Sequence, residues 1–116
     1  MKFVEKNPSR IFEVGTKSTK IHHMADITLD PGEQVTFLGD NNSEYDFVRK
    51  SWGYYASPSI NGRLKSFNIR SFLVKNKTGQ IYLMCVESNK MTDFEEYCSE
   101  NNQSLVMELS DYLVRD

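Results

Sequence analysis

The sequence predicts an α+β fold: a mostly antiparallel, curled sheet or open barrel of about six to seven strands with one helix near the C-terminus. Three observations carry this. Short apolar runs with period-two alternation recur along the chain, each closed by Gly, Pro, Asn or Asp. Only one stretch, near residue 95, combines a capping pattern with apolar spacings of three and four. At 116 residues, 39% of them hydrophobic, the chain can bury one core and is too short for two. A single domain over residues 1–116 is expected.

The first strand is expected at Arg10–Val14, stopped by Gly15 and a polar loop from Thr16 to Lys20. From Ile21 to Leu29, Ile21, His23, Ala25, Ile27 and Leu29 fall on one parity, which fits a strand with one apolar face. Asp30-Pro31-Gly32-Glu33 is a turn, because Pro presets φ and Gly accepts a positive φ. Gln34–Leu38 follows as the next strand, so the two are expected to form an antiparallel hairpin. Glu44 to Tyr55 is rich in aromatic and β-branched residues and is read as extended.

Ala56 to Arg63 carries Pro58 and Asn61-Gly62 and is read as an ordered loop or hairpin tip. Arg70–Lys75 and Ile81–Glu87 form the strongest hairpin signal, joined by Asn76-Lys77-Thr78-Gly79-Gln80. A helix is predicted from Thr92 to Asn101. Thr92 and Glu95 have the spacing of a capping box, and Met91, Phe94, Tyr97 and Cys98 are spaced to face a sheet. Ser104–Leu109 closes the sheet, and Ser110–Asp116 is a last helical turn or a frayed tail. The expected core is Phe37, Phe72, Val74, Ile81, Leu83, Cys85, Phe94 and Val106.

Composition narrows the function classes. Fourteen Lys and Arg against 16 Asp and Glu give a formal net charge of −2, which points away from nucleic acid as a partner. No apolar run approaches the ~20 residues of a spanning helix, and the opening MKFVEKNPSR lacks the apolar stretch of a secretory signal. A cytoplasmic protein without a membrane partner is expected. Cys85 and Cys98 are too few for a disulfide framework and are read as reduced core residues. The three Asn-x-Ser/Thr triplets therefore carry no weight.

Charge is unevenly spread. Residues 44–77 hold seven Lys or Arg and two acids, net +5, whereas residues 87–116 hold eight acids and two bases, net −6. The basic stretch also contains seven of the 14 aromatic residues. Planar rings beside cations suit an anionic ligand with a stackable face; the competing reading is that the rings fill a core and the cations are solvated. Within the stretch, the expected ligand-binding residues are Trp52, Tyr54, Tyr55, Ser57, Ser59, Asn61 and Arg63, with Arg63 offering a two-pronged donor on a Pro/Gly-fixed loop.

Metal and cofactor signatures are missing. His22 and His23 are adjacent, so a strand turns them to opposite faces, and a cupin-type jelly-roll site needs two His one residue apart with Glu and a third His. Asp26 could join His22, but two ligands make a weak site. No Gly-rich phosphate loop, CxxC, HExxH or GxSxG occurs. No metal and no cofactor are expected.

The segment EYDFVRKSWGYYASPSINGRL, centred on Trp52–Ser59 and Asn61–Leu64, resembles a group of small bacterial proteins whose genes lie among those for surface-polysaccharide or acidic-sugar synthesis. The resemblance spans about Ile21 to Val86 and implies a carbohydrate setting without a mechanism. The leading expectation is a non-catalytic module that binds an anionic small molecule such as a nucleotide-linked or acidic sugar. Its rival is a small carbohydrate isomerase or epimerase using Tyr54, His22 or His23 as acid or base. A third is a protein-interaction module that forms a homo-oligomer through an exposed strand edge.

Overall fold

A computed structural model describes residues 1–114. Among the described residues, eight strands form three antiparallel sheets, with no closed barrel, and one helix of length lies near the C-terminus. No helix among the described residues is long and apolar enough to cross a membrane.

The first sheet is a ribbon of β1 (Lys2–Val14) and β2 (Thr19–Thr28). The strand expected at Arg10 therefore begins eight residues earlier, and the register shifts between Glu5 and Arg10, around the cis Asn7–Pro8 bond. The second sheet has the order β3 (Gln34–Leu38), β4 (Glu44–Lys50), β5 (Gly53–Ala56). The extended reading of residues 44–56 holds, folded into a hairpin where Lys50 pairs with Gly53. The third sheet runs β7 (Ile81–Glu87), β6 (Ile69–Lys75), β8 (Ser104–Glu108). The hairpin around Gly79 forms with Lys75 opposite Ile81.

The expected hairpin around Pro31-Gly32 does not form. The turn itself is present, with Glu33 N–H donating to the Asp30 carbonyl at 3.1 Å. Its exit, however, belongs to the second sheet: Gly32 N–H donates to the Arg49 carbonyl and Arg49 N–H to the Glu33 carbonyl, at 2.8 and 2.9 Å. The turn thus hands the chain from the ribbon to β4. Asn61-Gly62 is likewise no hairpin tip. Ser59 accepts from the N–H groups of Gly62 and Leu64 at its carbonyl and from Arg63 N–H at its hydroxyl, which winds the chain into a one-turn helix, α1 (Arg63–Ser66).

The long helix, α2 (Met91–Glu100), starts one residue early and without a side-chain cap. A 3₁₀ turn, Ser88–Lys90, runs straight into it, so Thr92 lies inside the helix and the capping box is not used. Phe94 and Cys98 are buried against Phe72, Val74 and Val86, and the Phe72 and Phe94 rings lie 5.2 Å apart. Met84 and Met91 pack around them. Tyr97 does not join this cluster and stays exposed. Residues Leu109–Val114 form a 3₁₀ turn, as one reading of the tail expected, and 115–116 lie outside the described residues.

Of the expected core, Phe72, Val74 and Phe94 are buried. Phe37, Ile81, Leu83, Cys85 and Val106 are instead exposed. For Ile81, Leu83 and Cys85 the reason is geometric: they alternate with Tyr82, Met84 and Val86 on β7, and α2 covers only the side of the sheet that holds Met84 and Val86. Both cysteines are free, but only Cys98 is a core residue.

Candidate functional site

The basic aromatic segment divides between elements. Trp52 sits in the β4–β5 turn and stacks on Tyr55 with ring centroids 6.4 Å apart at 19°. Tyr54 lies on the opposite face of β5, with the Arg49 guanidinium 5.0 Å above its ring. It lines an apolar cleft of about 310 Å³ with Ile27, Leu29, Val35, Phe37 and Phe47.

Ser57, Ser59 and Arg63 come together on the loop, as their spacing expects, and they bind one another. Arg63 Nη2 donates to Ser57 Oγ at 3.2 Å and stands 3.9 Å from Asp46 Oδ2, while its backbone N–H donates to Ser59 Oγ at 3.1 Å. Asp46 is buried and also accepts from the Thr36 hydroxyl at 2.6 Å. The Glu44 carboxyl lies beside it: a hydrogen bond to Asp46, burial and like charge push the Glu44 pKa up, and Arg63 opposes the shift. The Arg63 guanidinium thus faces Ser57 and one buried carboxylate, Asp46. Asn61 is exposed on the same loop.

The histidines are dispersed. His22 Nδ1 lies 3.3 Å from Ser9 Oγ, and His23 Nε2 lies 3.1 Å from the Ala25 carbonyl and 2.8 Å from Asp26 Oδ1. Asp26 also accepts from Lys6 at 2.8 Å, which holds its carboxyl below the ordinary range, so it partners His23 and Lys6. No group of three His, Cys, Asp or Glu side chains converges among the described residues.

Another cleft lies where the ribbon tip, the β6–β7 turn and the end of α2 meet. Its volume is about 510 Å³. Thr16 ties the ribbon to α2 by donating its N–H to Asn101 Oδ1 at 3.1 Å and its hydroxyl to the Glu100 carbonyl at 2.7 Å. Asn76 Oδ1 accepts from the N–H groups of Thr78 and Gln80 at 3.1 and 2.9 Å, which fixes the turn that carries Lys77. The Lys77 ammonium, the Tyr82 and Tyr97 rings and the amides of Asn102 and Gln103 line the opening between them. The Gln103 Oε1 is withdrawn from solvent and has no partner among the described residues. No Asp or Glu among the described residues lines this cleft.

None of the seven residues expected to bind a ligand lines it. Lys77 reads in sequence as part of a turn, Tyr97 as helix packing and Asn101-Asn102 as a helix stop. The only local signal was the pair of amide-rich turns, Asn76-Lys77-Thr78 and Asn101-Asn102-Gln103, which the fold brings to one mouth. No protein-family model, no curated protein and no solved structure matches this chain.

Proposed function

We propose that the protein is a binding module for an anionic carbohydrate, an acidic sugar or a nucleotide-linked one, taken up in the cleft between Lys77 and Tyr97. The observation that carries this is the chemistry of the cleft wall: Lys77, two tyrosines and several amides beside the apolar Val14, Ile21 and Met84, around about 510 Å³, with no carboxylate among the described lining residues. A carboxylate or phosphate is drawn to Lys77, sugar hydroxyls exchange hydrogen bonds with the amides, and the apolar face of a pyranose lies on a tyrosine ring. The volume suits a molecule of this size. The resemblance of the Trp52–Leu64 segment to proteins encoded among acidic-sugar genes points to the same ligand class. By contrast, the guanidinium of Arg63 already donates to Ser57 and stands beside the buried Asp46 carboxylate, which favours the cleft over the loop for an anion.

Calorimetric titration with glucuronate, UDP-glucuronate and glucose tests this reading. Binding of at least one of the acids, no binding of glucose, and a loss of about tenfold in affinity in Lys77→Gln are expected, the scale of one charge-assisted hydrogen bond. Failure of both acids to bind, or equal affinity for glucose, would overturn it.

A further inference from the structure

The third sheet is covered by α2 on one face, and on the other only at the end where Ile69 and Ser71 are buried beside the second sheet. Ile81 to Val86 is six consecutive apolar residues, the pattern of a strand buried on both sides; a strand with one solvated face alternates. Register places Phe72, Val74 and Met84 toward α2, and Leu73, Ile81, Leu83 and Cys85 on the other face. There Ile81 and Leu83 are 57% and 55% exposed, and Cys85 is exposed too. Beside Cys85 a shallow groove of about 320 Å³ runs past Tyr45 to Phe37, itself 56% exposed, with Ser43, Glu44 and Glu87 also on its wall.

The whole chain carries the same excess. Its accessible surface is 8374 Å², whereas a compact monomer of 13.5 kDa has about 6,500 Å². Its radius of gyration is 15.9 Å, against about 13 Å for a compact chain of this length. The surplus lies partly on this face and partly on the β1–β2 ribbon, where Phe3, Ile11, Phe12, Ile21 and Met24 are exposed as well.

We infer that the face of β6 and β7 turned away from α2 is a homodimer interface, and that a second copy of this chain completes the core there. Charge supports a copy of itself as the occupant. Lys75 stands at one end of this face, opposite Ile81, and Glu87 at the other, opposite Ile69, where its Oε1 accepts from the Ser43 hydroxyl at 2.6 Å and its other oxygen remains for a partner. A two-fold axis perpendicular to the strands brings the Lys75 end of one copy to the Glu87 end of the other, twice, with the uncharged stripe of Ile81, Leu83 and Cys85 between. The ligand cleft uses Tyr82, on the opposite face of β7, and remains open in such a dimer.

Light scattering on the full chain is expected to give twice 13.5 kDa at micromolar concentration. Leu83→Glu should be a folded monomer by circular dichroism, and Ile11→Lys, a substitution at a similarly exposed position on the ribbon, should remain a dimer. If Leu83→Glu does not fold, the unaltered protein decides: in the dimer neither Cys85 nor buried Cys98 reacts readily with a maleimide until denaturant is added. A single-chain mass, a dimer that survives in folded Leu83→Glu, or rapid labelling of one thiol per native chain would each overturn the inference.

Discussion

The guanidinium of Arg70 grips the carboxylate of Glu108 through two hydrogen bonds, Nε to Oε2 at 2.8 Å and Nη2 to Oε1 at 2.7 Å. This pair links β6 to β8 and joins the basic middle of the chain to its acidic end. The hydrogen bonds from Arg70 hold the Glu108 carboxyl below the ordinary glutamate range, against an opposing effect of burial. The same bonds push the Arg70 pKa up.

Because the folded-state pKa of Glu108 is depressed, its contribution to stability is complete at neutral pH. It fades as pH falls from the ordinary glutamate range through the lower folded value. Glu108→Gln should therefore lower stability by about 1–2 kcal/mol at pH 7, less than for a fully buried pair because Arg70 is partly in water. The gap to the unaltered protein should narrow in acid. Urea unfolding at pH 7 and pH 3 measures both, and an equal gap at the two pH values would refute the assignment.

Removal of Phe94 should uncouple α2 from the sheet. Its ring fills the space beside Phe72 in a cluster of only five buried residues, so Phe94→Ala should cost about 3–4 kcal/mol. Loss of helical circular dichroism ahead of the strand signal, at intermediate denaturant, is the expected signature.

The strands were legible because alternation and turn residues are local: Gln34–Leu38 and Ile81–Glu87 have the boundaries expected of them. Their pairing was not. Whether the strand before Pro31 pairs across its turn or with β1 depends on where Arg49 offers its backbone groups, which no local pattern records. The helix α1 is too short for any periodicity and rests on Ser59 acting as an acceptor. The cleft has no local signature for a similar reason, since Lys77 and Asn102 are brought to one mouth by β7 and α2 between them. The apolar run places Ile81, Leu83 and Cys85 in a core, and a second copy over that face of β7 would supply it.

Arg63 should behave as scaffold. Arg63→Ala leaves the buried Asp46 without its guanidinium and frees Ser57, so the unfolding midpoint should fall in the ligand-free protein, by the equivalent of about 1–2 kcal/mol. Arg63→Lys should restore little, since an ammonium cannot reach both partners with a planar fork. Affinity for an acidic sugar should be unchanged in either variant. A selective loss of binding at unaltered stability would return the site to the Ser57–Arg63 loop.

Gly15 sits where the ribbon tip touches α2, and the shape of the cleft depends on that contact. Its φ is +77°, a conformation costly for residues with a Cβ, and a Cβ there would overlap Asn101 Oδ1, the atom that accepts the Thr16 N–H. Gly15→Ala should destabilise the protein by about 1–2 kcal/mol, the scale of one left-handed non-glycine residue, and push the ribbon away from Asn101. The cleft then loses one wall, so ligand affinity should fall as well. Thr16→Val separates the two effects: it deletes the hydroxyl bond to the Glu100 carbonyl but leaves the backbone bond to Asn101 in place. That variant should lose a fraction of the stability and keep most of the affinity. If Gly15→Ala binds the acidic sugar as tightly as the unaltered protein, the ribbon tip is not part of the binding site, and the ligand rests on the Lys77 and Tyr97 walls alone.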